Sequence, residues 1–100
     1  MYAPLRSEAD RQALVSGLAD GVIDVIATDH APHTPEEKAL AFDEAPCGVV
    51  GLETSVGVVL TQLYHTNILE PTQIIKLMST RPAEIFKLKD SGNLAVGCRA

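Results

Sequence analysis

A parallel α/β architecture is the fold class that the sequence predicts, and three observations lead to it. The run Val22-Ile23-Asp24-Val25-Ile26-Ala27-Thr28 is short, β-branched and almost wholly apolar, as a buried strand reads. An amphipathic stretch from Ser7 to Ala19 precedes it with only Asp20-Gly21 between, the helix, tight turn and strand of half an α/β repeat. A carboxylate and two imidazoles, Asp29, His30 and His33, crowd the far tip of that strand. In parallel α/β folds the C-terminal end of a strand is where catalytic groups are displayed. The plainer reading is an Asp capping a turn beside two solvated histidines.

The elements follow in order. Ser7 with Asp10 three residues on makes an N-cap and an acidic first turn, and Leu14, Val15 and Leu18 give the helix an apolar stripe. From His30 to Leu52 there is no period, but Pro32, Pro35, Pro46 and two glycines. A loop of this length is usually functional or disordered, and its position after Asp29-His30 favours function. The charges Glu36-Glu37-Lys38 read as loop surface. Val56, Val59, Leu60, Leu63 and Tyr64 predict a helix over 53–66. Pro71 opens another, with Ile74, Ile75, Leu77 and Met78 inside it. Arg81-Pro82 is expected to stop that helix, with Pro82 in the first turn of a short one reaching Phe86. Asp90-Ser91-Gly92-Asn93 is a turn, and Leu94-Ala95-Val96 is expected to begin a further strand.

Composition narrows the function. Of 100 residues, 46% are hydrophobic and 21% charged, an ordinary globular balance. A net charge of −5 without a basic cluster argues against nucleic acid or an anionic membrane as partner. No apolar run reaches the roughly 18 residues of a membrane span. Two distant cysteines, Cys47 and Cys98, with no export signal, suggest a reducing cytoplasm. The chain opens as if inside a loop and stops as a segment near 94–100 begins, so it reads as part of a longer protein.

Asp29 can serve as a hard oxygen ligand or a general base. Strand alternation points Asp29 and His30 apart unless the chain bends there, leaving His30 to pack or hydrogen-bond. His33, beyond Pro32, has the reach and the donors for a substrate carboxylate or carbonyl. A catalytic zinc takes three protein ligands and water, which this chain does not assemble. Asp24 and His65 lack ligand spacing and read as structural, and Cys47 has no base beside it in sequence and reads as a small loop residue.

The sequence from Asp20 through Thr28-Asp29-His30-Ala31-Pro32-His33 resembles the dihydroorotase family in its bacterial class I branch. Glu36-Glu37-Lys38 and Ala45-Pro46-Cys47-Gly48-Val49-Val50-Gly51-Leu52-Glu53-Thr54 continue the likeness. Pro4-Leu5-Arg6 and Arg81-Pro82-Ala83-Glu84-Ile85-Phe86 extend it to both sides, over nearly the whole chain. The resemblance implies the C-terminal part of a TIM-like (β/α)₈ barrel of the metal-dependent hydrolase type, a fragment of one barrel domain. Its implied activity is the interconversion of L-dihydroorotate and N-carbamoyl-L-aspartate in pyrimidine synthesis. Asp29 matches the strand-eight aspartate that ligates zinc and acts as general base. His33 matches the histidine that binds the substrate carboxylate. Cys47 and Gly48 match loop positions whose backbone groups hydrogen-bond the pyrimidine ring. One or two zinc ions, a small-molecule substrate, and a homodimer or association with aspartate transcarbamoylase are the implied cofactor and partners.

The departures are specific. Tyr2-Ala3 precedes Pro4-Leu5-Arg6 where the family often carries an Asn that touches substrate, and Cys47 stands where Phe is common. The family's His-X-His ligands, bridging carboxylate and further histidines belong to strands outside these residues. A complete barrel needs about 250 residues, so the chain alone is expected neither to hold zinc tightly nor to turn over. Two rivals remain. A hydantoinase- or allantoinase-like cyclic amidohydrolase would keep Asp29 but usually differs after it. A non-catalytic relative that scaffolds aspartate transcarbamoylase would keep the fold and lose ligands.

Overall fold

The computed structural model describes residues 4–99, so Tyr2 and Ala3 lie outside the described residues. Helix α1 spans Glu8–Ala19 and starts where the sequence predicts. The Ser7 hydroxyl accepts the Asp10 N–H at 3.3 Å and the Asp10 carboxylate accepts the Ser7 N–H at 3.1 Å, a reciprocal box that satisfies two amides the helix cannot. It ends in a Schellman turn. Val22 N–H donates to the Gly17 carbonyl at 2.8 Å and Gly21 N–H to that of Leu18 at 3.3 Å, around Gly21 at φ +72°.

The segment Val22–Thr28, expected to be a strand, belongs to no regular element. A strand exists only through its ladder, and among the described residues the pairing here reduces to one parallel bridge, His30 with Val49. The segment is held instead by a helix. Ile26 N–H donates to the Leu77 carbonyl at 3.1 Å.

That bond explains a second departure. Arg81-Pro82 does not stop the helix that Pro71 opens. The chain from Pro71 runs as an α-helical stretch Pro71–Ile75, a π-helical turn Lys76–Thr80 and a further α-helical stretch Arg81–Ile85 without interruption. A proline ring collides with the carbonyl four residues back and offers no N–H, so the helix widens just before it. Arg81 N–H reaches back five residues to Lys76. In that register the next acceptor, Leu77, would need an N–H from Pro82, and Ile26 supplies it instead.

The remaining elements complete the core. Helix α2, Pro35–Lys38, is a single turn that the sequence reading missed. Helix α3, Leu52–Val59, passes into a π-helical turn, Leu60–Tyr64, where the Thr61 hydroxyl donates to the Gly57 carbonyl at 2.7 Å. Asn67 at φ +57° closes it in a second Schellman turn, with Ile68 N–H on the Leu63 carbonyl at 2.9 Å. The stretches from Pro71 and Arg81 are α4 and α5. Val59, Leu63, Leu69, Ile74 and Leu77 form the core between α3 and α4, with Leu69 only 2% exposed.

This core is small. Val25, Ala27, Val56, Ile75, Met78 and Phe86 line an open apolar groove of about 870 Å³. The radius of gyration is 16.4 Å, against about 13 Å for a compact domain of this length. Leu94-Ala95-Val96, expected to begin a strand, belongs to no regular element, and Leu94 and Val96 are exposed. The predicted turn before it does form, with Asp90 at φ +42° and the Thr80 hydroxyl on the Gly92 carbonyl at 2.8 Å.

Candidate functional site

The chain bends at Asp29. Its φ of +47° lies in the left-handed region, which costs a non-glycine residue about 1 kcal/mol and is tolerated by Asp better than by most. Strand alternation therefore breaks at the exposed carboxylate. His30 beyond the bend takes the hydrogen-bonding role expected of it, although the chain bends here rather than alternating. Its Nδ1 accepts the N–H groups of Gly51 and Leu52, each at 3.1 Å. An acceptor Nδ1 carries no proton, so the ring is bonded in its Nε2–H form. These two amides open α3, whose N-cap Gly51 has no side chain to satisfy them. With Ala31 N–H on the Val49 carbonyl at 2.9 Å, three bonds stitch residues 30–31 to 49–52.

The loop between these strands of contact is equally organised. Thr34 and Glu37 form a capping box around α2, and Pro35 occupies its first turn. The Glu37 carboxylate accepts the Thr34 N–H at 2.9 Å, and that bond, with a smaller contribution from His33, holds its carboxyl below the usual carboxylate range. His33 Nε2 lies 3.1 Å from the Cys47 carbonyl and Nδ1 lies 3.5 Å from Glu37 Oε2. The Lys38 ammonium donates to the carbonyls of Pro46 and Gly48, both at 2.7 Å. Gly48, at φ +145°, packs so tightly that a Cβ there would stand 2.5 Å from the Ala31 carbonyl oxygen and 3.1 Å from His33 Cδ2. Only glycine fits.

The structure thus brings His33, Cys47 and Gly48 into one cluster, against the turn that follows Asp29. It does not bring in the others. Asp24 pairs with Arg81 at 3.0 Å, locking the segment before the bend to α5. His65 lies beside the Tyr64 ring at 5.1 Å. Cys47 and Cys98 are both free thiols. Among the described residues no three His, Cys, Asp or Glu side chains gather into a metal-binding group. The Asp29 carboxylate is a hard oxygen ligand of the kind such a site takes, and it would supply one of the three or more protein ligands required.

Sequence reasoning missed Lys38 and Glu37, which it read as loop surface. The box Thr34-Pro35-Glu36-Glu37 was a usable signal for α2. Lys38 had none, because its partners are main-chain carbonyls eight and ten residues away.

An exposed carboxylate thus sits at a backbone bend that closes an apolar segment, and a fixed glycine loop packs on the residues two to four positions beyond it. A model of the amidohydrolase family matches residues 3–100, and the chain belongs to that family. A dihydroorotase of Geobacillus sp. (strain WCH70) is 55% identical over 100 residues, covering all of this chain and 23% of that protein. A dihydroorotase of Lactiplantibacillus plantarum is 52% identical with the same coverage. The structure of a D-hydantoinase (dihydropyrimidinase) from Thermus sp. superimposes with a TM-score of 0.85 at 33% identity, over 97% of this chain and 22% of that one. The chain therefore spans 23% of the length of the curated relatives it matches.

Proposed function

We propose that the chain carries the strand-end corner of a dihydroorotase active site, within the last units of a (β/α)₈ barrel. The reaction in this reading is the opening and closing of the L-dihydroorotate ring to N-carbamoyl-L-aspartate. Asp29 is the general base, taking a proton from the attacking water and returning it to the ring nitrogen as the amide bond breaks. His33 offers its imidazole to the substrate carboxylate, and the backbone of Cys47 and Gly48 hydrogen-bonds the ring. The observation that supports this most directly is the cluster of His33, Cys47 and Gly48 held against the turn after Asp29. Zinc, one ion or two, belongs to the same reading with Asp29 as one of its oxygen ligands. When bound it lowers the pKa of water and polarises the scissile carbonyl.

The reading also places the protein in the cytoplasm, as a homodimer or with aspartate transcarbamoylase as its partner. Among the described residues, no helix is long and apolar enough to cross a membrane. The structural likeness to a D-hydantoinase supports a second reading, hydrolysis of a different cyclic amide. One assay separates them. Zinc-loaded protein, expressed with all of its natural coding sequence, is offered L-dihydroorotate, hydantoin and allantoin. Dihydroorotate should be the preferred substrate, and Asp29→Ala should lower kcat by about 10³-fold. Preference for hydantoin would replace the first reading with the second, and an inert wild-type protein would remove both.

A further inference from the structure

We propose that Lys38 is a positioning residue for the substrate loop, gripping residues 46–48 on one side while His33 grips them on the other. The inference rests on the dihydroorotase reading of this site and adds to it a residue with no place in the chemistry itself. Three consecutive carbonyls are held. Pro46 and Gly48 accept from Lys38 Nζ at 2.7 Å each, and Cys47, between them, lies 3.1 Å from His33 Nε2. One cation thus takes the first and third carbonyls while an imidazole takes the second. Bonds from a charged donor are roughly twice as strong as neutral ones. Two of them on one short stretch fix its backbone orientation.

The loop needs such a hold. Residues 39–45 contain only local turns, including Glu44 N–H and Ala45 N–H on the Ala41 carbonyl at 2.9 and 2.8 Å. Gly48 has the conformational freedom of a glycine at φ +145° and supplies no side chain to anchor it. Lys38 reaches the loop because α2 ends there. Thr34 caps that helix at its start, and Ala39 closes it with its N–H on the carbonyls of Pro35 and Glu36. A well-capped single turn thus becomes the fixed post from which the ammonium extends. Lys38 is itself exposed, yet its ammonium is not left to solvent alone. Its ammonium bonds the Pro46 and Gly48 carbonyls on either side of Cys47, one of the two proposed ring-binding residues.

The test compares Lys38→Met, which keeps the length and removes the donors, with Lys38→Arg, which keeps charge and paired donors. Both are made in the zinc-loaded protein with its natural coding sequence. Lys38→Met should raise KM for dihydroorotate about tenfold with kcat within about threefold of wild type, the signature of lost binding rather than lost chemistry. Hydrogen exchange over residues 39–50 should quicken, while exchange in α3 and α4 stays unchanged. Lys38→Arg should restore most of the KM. Wild-type KM together with wild-type exchange in Lys38→Met overturns the proposal, as does a Lys38→Arg protein no better than Lys38→Met. If the wild-type protein turns over no dihydroorotate, the functional reading fails instead, and the exchange over 39–50 still decides whether Lys38 holds the loop.

Discussion

The loop from Asp29 to Leu52 and the helical region from Val59 to Ile85 are built on opposite principles. The loop contains no buried residue, yet its turns are fixed by named donors and acceptors: His30 on two amides, Lys38 on two carbonyls, Thr34 and Glu37 on each other. The helical region contains all the buried core among the described residues and depends on contact rather than direction. With the residues just beyond its two ends, it also leaves Val56, Ile75 and Phe86 exposed along the groove, with Phe86 at 74%. Polar bonds are directional and close over short stretches of chain, so a site loop can hold its geometry with little burial. Apolar faces are stabilised only in proportion to the area they cover. The difference teaches that the shape of the candidate site is a local property, whereas the stability of the frame beneath it is a collective one.

The largest effect should come from the core. Leu69→Ala removes the most buried side chain described and should cost about 3 kcal/mol in urea-induced unfolding. A cost below about 1 kcal/mol would mean that the core repacks freely. The hydrogen-exchange pattern of the loop should change little, because none of its bonds runs through Leu69. Parallel loosening of both regions would break the contrast drawn above.

Gly48→Ala attacks the loop directly. A Cβ at 2.5 Å from the Ala31 oxygen, on a φ of +145°, forces the backbone to move. We expect kcat/KM for dihydroorotate to fall about 100-fold. The unfolding free energy should change less than in Leu69→Ala. A Gly48→Ala enzyme with wild-type kcat/KM would show that the loop adjusts at no functional cost.

His30→Ala probes the join between the two regions. Loss of the acceptor for Gly51 and Leu52 leaves the start of α3 uncapped, at a cost of about 1 kcal/mol. Exchange of those two amides, followed by NMR, should accelerate most. If they stay protected, another group caps α3.

How much of this was legible follows from the same contrast. Helix α1 was readable at both ends because a capping box and an Asp-Gly stop are chemical signatures of single residues. The helix over Leu52–Tyr64 was readable from its apolar period. The strand over Val22–Thr28 was read from the same kind of evidence, yet strand identity belongs to a pair of segments, and the described residues pair only at His30 and Val49. Pro82 was read as a stop because proline usually is one. A π-helical turn and an outside donor, Ile26, let the helix pass. At the site, Asp29, His33, Cys47 and Gly48 were placed through a family pattern, and the structure gathers the last three. Lys38 stayed hidden because a main-chain carbonyl leaves no mark on sequence.

The smallest effect concerns the start of α1, where residues 8–14 are all exposed and polar bonds do the holding. Glu8 accepts from Arg11 at 2.6 and 2.8 Å and from Gln12 at 3.0 Å. The Arg11 bonds, then that of Gln12, lower its carboxyl from 4.5 to about 2. A depressed folded value means a contribution to stability that is present above about 4.5 and lost as pH falls toward about 2. Glu8 is exposed, and solvent screens such pairs until many contribute nothing measurable. The site-specific carboxyl resonance is therefore a sharper observable than unfolding. In ¹³C NMR the Glu8 midpoint should lie well below that of an unpaired glutamate, and Arg11→Ala should move it most of the way back. A midpoint already at the unpaired value in the wild type would show that the Glu8–Arg11 geometry does not persist in solution. Directional bonds would then need the closed, mutually fixed circuit seen around Lys38 and His33 in order to hold.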